Sequence, residues 1–279
     1  MTTDKLIDPV VRPGSTSSDK RAELLTAFRR VHNRWLGGRD NPDAGPLMLC
    51  FTYAGGSTGA FRGWEDMLPV NVRPIVLPGR DGRIDEPAYT RLSPLIADLV
   101  EYVGPHVTPD TVFFGHSMGA LVAFEFTREL RRRGMTVPKK LLLAAFRAPH
   151  LESDRKPIHG WPDDVLQAVL HREGVPAATL TNPQIMAALL PTLRADLELC
   201  ETYEFADESP LEVPLAVFGG SDDVRVRPPM LRGWDRHTSQ GATHVTVNGP
   251  HLFINVSRDE LLAAVQHELH AMVGDHDVN

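Results

Sequence analysis

The stretch Phe113-Phe114-Gly115-His116-Ser117-Met118-Gly119-Ala120 decides the fold of this chain. An apolar run, Thr111–Phe114, leads into it, and a helix-like stretch, Met118–Arg133, follows. A serine in a Gly-x-Ser-x-Gly pattern between a strand and a helix lies on a sharp turn, and its flanking glycines avoid the clashes that a Cβ would cause. This context predicts that Ser117 is an exposed nucleophile, with an ordinary glycine-rich turn as the alternative.

Strand-like and helix-like stretches alternate through the rest of the chain. The predicted strands are Leu47–Phe51, Arg73–Leu77, Thr111–Phe114, Lys140–Ala145, Leu215–Phe218 and His244–Val247. The predicted helices are Ser93–Val103, Met118–Arg133, Pro229–His237 and Ser257–Met272. Such alternation is typical of a mostly parallel sheet with helices on both faces, so we predict an α/β fold.

The first 45 residues stand outside this alternation. Met1–Ser18 shows no periodicity and is predicted to be disordered. Arg21–Gly37 places apolar residues on one helical face, and this helix either packs on the body or docks a partner. Gly37–Pro46 is rich in Gly, Pro and Asp and is predicted to be a linker. We therefore expect an N-terminal extension over 1–45 and one domain over 46–274.

A second segment, about 155–205, contains helical patterns and no strand candidate. It lies between two strands of the predicted sheet, at the edge where ligands bind in open α/β folds. We expect it to form a helical lid. A set of helices that only fills out the core is the alternative.

Composition limits the classes of function. The chain has 279 residues, of which 42% are hydrophobic, and a formal net charge of −7. It can bury a large core, and its acidity argues against nucleic acid as a partner. No apolar run approaches the roughly 20 residues that span a bilayer, and Cys50 and Cys200 match no metal spacing. We expect a monomeric cytoplasmic protein that contacts neither nucleic acid nor membrane.

A serine nucleophile needs a base, and the base needs an acid to orient it. In the fold that this turn characterises, the acid and the histidine follow the serine in chain order, each on a loop after a strand. The strand Leu215–Phe218 runs into Gly219-Gly220-Ser221-Asp222-Asp223. Either aspartate could reach the histidine while the other caps the next helix, and we favour Asp223.

The chain has twelve histidines, and we predict from its position which of them is the general base. His251 follows the last predicted strand and precedes the last helix, which brings its side chain back over the serine. His244 lies within a strand and is expected to be packed or exposed, and His116 is expected to point away from the nucleophile.

The oxyanion hole requires two backbone N–H donors. One should come from Met118, the residue after the serine, and the other from the loop after the first strand, Thr52–Ser57. Ala54 is our candidate there, since Gly55 and Gly56 allow close approach of a ligand. A mere turn or a phosphate cradle is the alternative, but no Gly-x-x-x-x-Gly-Lys pattern accompanies it.

From about Leu47 to Met272 the chain resembles the stand-alone type II thioesterases of polyketide and nonribosomal peptide assembly lines, which have the α/β-hydrolase fold. The matching stretches are Tyr53–Ser57 with Phe61–Trp64, Leu77–Arg80 with Arg83, Gly115–Ala120, Leu190-Pro191 with Arg194–Asp196 and Tyr203, Gly219–Asp223 with Trp234, and Gly249–His251.

The resemblance implies a function. Members of this family hydrolyse acyl groups from the phosphopantetheine arm of acyl or peptidyl carrier proteins, and so clear aberrant or stalled units without metal or diffusible cofactor. Ser117, Asp223 and His251 would form the triad, and the lid would cover an acyl tunnel. Chain release by hydrolysis or cyclisation, and a non-catalytic carrier-binding module, are the alternatives.

The chain departs from the family pattern in a few places. It has about 45 residues ahead of the first strand, Pro250 replaces the commoner glycine before the histidine, and Leu252 stands where an aromatic residue is frequent. These departures concern carrier docking and acyl preference. Arg62, Arg80 and Arg83 are candidates for contact with an acidic carrier, since the chain itself is acidic.

Overall fold

The computed structural model describes residues 33–153, 155–175 and 177–274. In these residues six strands form one sheet in the order β2-β1-β3-β4-β5-β6, and every neighbouring pair is parallel. The strands are β1 (Leu47–Phe51), β2 (Asn71–Pro74), β3 (Val112–His116), β4 (Lys140–Ala144), β5 (Leu215–Gly220) and β6 (Ala242–Val247). The predicted α/β fold with a parallel sheet is therefore confirmed, with β2 beginning two residues earlier than its pattern indicated.

Helices connect the strands. They are α1 (Leu92–Tyr102), α2 (Met118–Arg132), α3 (Asp163–Arg172), α4 (Ala177–Leu180), α5 (Pro183–Glu201), α6 (Pro228–Arg232), α7 (Phe253–Val256) and α8 (Arg258–Gly274). A 3₁₀ turn, Gly233–His237, continues α6, so the predicted helix over Pro229–His237 is split. The short helices α4 and α7 carry too little periodicity to be found in the sequence.

Both faces of the sheet are buried over the strands β1 to β5, whereas β6 at the edge is largely exposed. Side chains alternate along each strand, so that Leu49 and Phe51 face a core built on α1 and α2, whereas Met48 and Cys50 face a core built on α8. Burial of the Cys50 thiol raises its pKa well above the usual range, so this cysteine is an inert part of the core. Coverage of both faces explains why the strands read as continuous apolar runs.

The segment ahead of β1 is packed against the edge strand. Leu36 forms a bridge with Ile75, and the Arg73 guanidinium donates to the carbonyl oxygens of Leu36 and Gly37. Arg73 also pairs with Asp40. The stretch predicted as a linker thus lies along β2. Of the predicted helix over Arg21–Gly37, only the end is described, as a 3₁₀ turn at Asn33–Trp35, and Met1–Ser18 lies outside the described residues.

The helical insertion, as we call 155–205, lies between β4 and β5. It contains α3, α4 and α5, and its described residues include no strand. Asn182 caps α5, since its side-chain oxygen accepts from the N–H groups of Gln184 and Ile185. The insertion has an apolar cluster of its own, formed by Leu166, Leu170, Leu180, Met186, Leu193 and Leu197.

We found no helix among the described residues with the length and hydropathy that crossing a membrane requires.

Candidate active site

Ser117 lies on the tight turn between β3 and α2. Its backbone has φ 53° and ψ −118°, a conformation that non-glycine residues rarely adopt. A Cβ on Gly115 would lie 2.2 Å from the Gly119 carbonyl oxygen, and one on Gly119 would lie 2.0 Å from that of Phe51. Both glycines of the motif are therefore required by contact with backbone, and the predicted strand–turn–helix context is present.

Three side chains from three loops meet at this turn. His251 Nε2 lies 2.8 Å from Ser117 Oγ, and His251 Nδ1 lies 2.8 Å from Asp223 Oδ2. Because a carboxylate only accepts, Nδ1–H donates to Asp223 and Nε2 is left to accept the serine proton. The structure thus brings together the three residues that the sequence singled out for a triad.

Asp223 is held by both of its carboxylate oxygens. Oδ2 faces His251, and Oδ1 accepts from the N–H groups of Arg225 and Val226 at 2.7 and 3.0 Å. Burial alone would raise the pKa of this carboxyl, but the hydrogen bond and charge of His251 and the two backbone donors hold it below its usual value. Asp222 is exposed and accepts from the Ser221 hydroxyl, so the structure favours Asp223 over its neighbour.

The two histidines that the sequence does not favour as the base, His116 and His244, form other hydrogen bonds. His244 is exposed on β6, and its Nε2 lies 2.6 Å from Asp235 Oδ1. The partner of His116 is backbone: its Nε2–H donates to the carbonyl of His251 at 2.9 Å. Burial lowers the pKa of His116 to about 3, so its ring is neutral. In the described part of the chain its Nδ1 has no hydrogen-bond partner.

The two candidate oxyanion donors come from the turn that carries the serine and from the loop after β1. Met118 is the first residue of α2, so its N–H has no acceptor within the helix. Ala54 lines the same cavity as Ser117 and His251. The loop that carries Ala54 turns sharply, because Gly56 N–H donates to the Tyr53 carbonyl at 2.8 Å and Gly55 has φ +73°.

A cavity of about 870 Å³ opens from Ser117 beneath the helical insertion. Its apolar lining comes from both the sheet edge and the insertion, and includes Phe146, Leu166, Leu170, Leu193, Leu197 and Leu252. Cys200 also lines it, and burial raises the pKa of that thiol to about 12, which makes it a weak nucleophile. The cavity is large enough for a sizeable acyl group next to the serine.

The prediction that Arg80 and Arg83 are available for docking is wrong. Both are buried: Arg80 forms a two-pronged ion pair with Asp196, and Arg83 pairs with Glu86. Only Arg62 of the three candidates is exposed. The sequence does not single out Asp196 beyond its place in a stretch that matches the family, because its contact with Arg80, 116 residues away, leaves no local pattern.

Comparison with known proteins identifies the family. The family model for the thioesterase domain matches residues 46–269. The chain belongs to the thioesterase family. It has the α/β-hydrolase fold of these proteins and is a hydrolase that acts on thioesters.

The chain is similar in sequence and structure to proteins of biosynthetic pathways. It is 37% identical over 244 residues to linear gramicidin dehydrogenase LgrE of Brevibacillus parabrevis, a match over 85% of this chain and 93% of that protein. The RedJ thioesterase from the prodiginine pathway of Streptomyces coelicolor is 38% identical, with a TM-score of 0.75 over 83% of this chain and 94% of RedJ. The type II thioesterase BorB from the borrelidin cluster is 28% identical, with a TM-score of 0.77 over 85% and 98%.

Proposed function

We propose that this thioesterase hydrolyses acyl groups from the phosphopantetheine arm of acyl or peptidyl carrier proteins, and so removes aberrant or stalled units from an assembly line. The observation that carries the proposal is the hydrogen-bonded series Ser117–His251–Asp223 beside a cavity that residues of the helical insertion line. Similarity to the RedJ thioesterase of a biosynthetic pathway and to the type II thioesterase BorB of a biosynthetic cluster supports a role in biosynthesis, and the editing role follows from the resemblance to type II thioesterases.

The first half-reaction forms an acyl-enzyme. His251 Nε2 takes the proton of Ser117 as Oγ attacks the thioester carbonyl, and Asp223 stabilises the imidazolium that results. The N–H groups of Met118 and Ala54 donate to the oxyanion. When the intermediate collapses, the C–S bond breaks and the thiolate takes the proton from His251. A thiol pKa near 8.5 makes this leaving group easier to expel than an amine.

The second half-reaction releases the acid. His251 takes a proton from a water molecule, whose oxygen attacks the acyl-serine carbonyl. Collapse breaks the bond between the carbonyl carbon and Ser117 Oγ, which takes the proton back from His251. The products are a carboxylic acid and the free carrier thiol. The mechanism needs no metal or diffusible cofactor, because phosphopantetheine enters with the carrier.

Docking of the carrier is proposed to rest on local contacts. The chain carries a formal charge of −7, and with Arg80 and Arg83 buried in ion pairs, those two side chains offer nothing to an acidic partner. Long-range attraction to an acidic carrier is therefore unfavourable. We propose that a monomer of this enzyme in the cytoplasm meets the carrier through apolar contacts and local exposed cations, such as Arg62.

Two other functions use the same residues differently. A release enzyme would share the fold and triad and act on the finished chain by hydrolysis or cyclisation. A non-catalytic carrier-binding module would keep the fold without a reactive serine, which the intact triad disfavours. Dehydrogenation, the activity in the name of LgrE, is disfavoured because the chain contains no Gly-x-Gly sequence, with which the dinucleotide-binding fingerprint begins.

Ser117→Ala tests the catalytic proposal. We expect loss of acyl release from a loaded carrier by at least about 1,000-fold, because no other nucleophile is activated at the site. A fluorophosphonate probe should label the wild type and the control Ser93→Ala, an exposed helix position, but not Ser117→Ala. Near-normal turnover by Ser117→Ala would refute the mechanism, and an unlabelled wild type would favour the binding module.

A panel of carrier-bound substrates separates editing from release. An editing enzyme should hydrolyse short acyl groups at rates equal to or above those of a full-length chain. Rates are measured by mass spectrometry of the carrier, with the hydrolysed and cyclised products counted separately. A strong preference for the full-length chain, with ring closure, would contradict editing.

A further inference from the structure

A buried ion pair connects the helical insertion to the loop that carries Ala54. Asp196, on α5, is 2% exposed, and Arg80, in the loop after β2, is 5% exposed. The guanidinium donates through Nη1 to Asp196 Oδ2 at 2.8 Å and through Nη2 to Oδ1 at 2.7 Å. Such a two-pronged pair fixes the relative orientation of both side chains.

Both members of the pair also hold the backbone of the Ala54 loop. Gly55 N–H, the group next to the candidate oxyanion donor, donates to Asp196 Oδ2 at 2.7 Å. Arg80 Nη1 donates to the Gly56 carbonyl at 3.0 Å. The loop is therefore held at two successive residues by one ion pair, and the carboxylate belongs to the insertion rather than to the sheet.

Close packing completes the connection. A Cβ on Gly55 would lie 3.0 Å from Leu189 Cδ1 and 3.2 Å from Leu193 Cδ1, so α5 rests directly on the loop. The Thr192 hydroxyl donates to the Gly79 carbonyl at 2.7 Å, which ties α5 to the residue before Arg80. A shift of α5 would therefore move the Ala54 loop with it.

We propose that Arg80 and Asp196 are positioning residues for the oxyanion hole, through which the helical insertion sets the place of the Ala54 N–H. The inference rests on the proposed acylation of Ser117. Neither Arg80 nor Asp196 lines the cavity that contains Ser117. The pair acts through the peptide bonds of Gly55 and Gly56, so its loss should weaken transition-state stabilisation more than substrate binding.

The test removes the pair without leaving a buried charge. Apolar residues of similar volume often replace a buried ion pair without loss of stability, so R80M/D196L should fold, whereas D196L alone would strand the Arg80 charge. The matched control is K140M/E268L. That pair is equally buried, with Nζ 2.7 Å from Oε2 and side-chain exposures of 8% and 6%, and it joins β4 to α8.

The expected result is a split between kcat and KM on an S-acyl-N-acetylcysteamine thioester. Removing one oxyanion donor outright costs about 10²- to 10³-fold in kcat, so its displacement in R80M/D196L should cost about 10- to 100-fold, with KM within about twofold. A trifluoromethyl ketone analogue, whose adduct with Ser117 is an oxyanion, should bind the variant more weakly by the same factor. The control should keep wild-type kcat.

Other outcomes are decisive as well. A kcat for R80M/D196L within threefold of the control, or equal losses in kcat and analogue binding for both variants, overturns the inference. If circular dichroism shows that R80M/D196L does not fold, R80K is tested instead, because lysine keeps the charge but loses the two-pronged geometry. An unchanged kcat for R80K would refute the positioning role. A reduced kcat at unchanged KM would support it. If Ser117→Ala retains turnover, the proposed mechanism fails instead.

Discussion

His116 shows how one residue of the motif serves the site without touching substrate. Its Nε2–H holds the carbonyl of His251, and its ring packs against Phe253 at 4.7 Å between centroids. Burial lowers its pKa to about 3, against about 6.5 in an unfolded chain. Between these two pKa values the unfolded chain has a protonated His116 and the folded chain a neutral one. The stability that neutral His116 contributes is therefore present above pH 6.5 and is lost as the pH falls towards 3.

This linkage predicts an effect of His116→Gln on the pH dependence of stability. A glutamine amide can donate to the His251 carbonyl but cannot titrate. Between pH 6 and pH 4 the wild-type free energy of unfolding should fall more steeply than that of the variant, by about 1.4 kcal/mol per pH unit. Urea titrations at several pH values measure both slopes. Parallel slopes would mean that His116 becomes protonated in the folded state.

The turn from β3 to α2 leaves no room for a side chain at either glycine. The atoms that a Cβ would meet at Gly119 belong to the backbone of Phe51 and Thr52, at the end of β1, so a larger residue must push the first turn of α2 away from β1. The serine is placed by this contact between α2 and β1 as much as by its own dihedral angles.

Gly119→Ala should therefore destabilise the protein by about 3 kcal/mol or more and abolish activity, because overpacking against backbone cannot relax by a rotamer change. Gly160→Ala is the matched control, since nothing lies within 4 Å of a Cβ at that position. Thermal unfolding and thioester hydrolysis of both variants measure the effect. Equal stability of the two variants would contradict the contact.

Much of this architecture can be predicted from the sequence, for physical reasons. The strands β1 to β5 are buried on both faces and so appear as apolar runs, and the triad residues follow strands in a fixed order. The Arg80–Asp196 pair could not be predicted, because arginine is usually exposed and a contact between distant residues has no periodicity. The place of Gly37–Pro46 could not be predicted either, since the hydrogen bonds that hold it come from Arg73 and the edge of β2.

The limits of the folded unit also differ from those suggested by the sequence. The family match begins at residue 46, yet Trp35 is only 4% exposed. Its ring stacks on Tyr102, and the Arg83 guanidinium lies 4.1 Å from its centroid. Trp35 and Leu36 are thus buried at the β2 edge of the sheet, and the folded unit extends beyond the residues that the family model matches.

A chain that starts at residue 46 should be less stable than one that starts at residue 33, by about 3–5 kcal/mol, the usual cost of losing a buried tryptophan. Trp35→Ala in the longer chain should account for most of the difference. Thermal or urea unfolding of the three proteins measures it. Equal stabilities would mean that residues 33–45 do not contribute to the stability of the fold.

The triad residues follow strands that differ in their position in the sheet. Ser117 follows β3, which has partners on both sides, whereas His251 follows β6, which among the described residues pairs only with β5 and is largely exposed. A strand with one neighbour and few buried contacts opens more readily than a central one. We therefore expect opening at this edge of the sheet to separate the base from the nucleophile before the central strands part. On this expectation the edge strand, and not the core, limits how long the triad stays assembled.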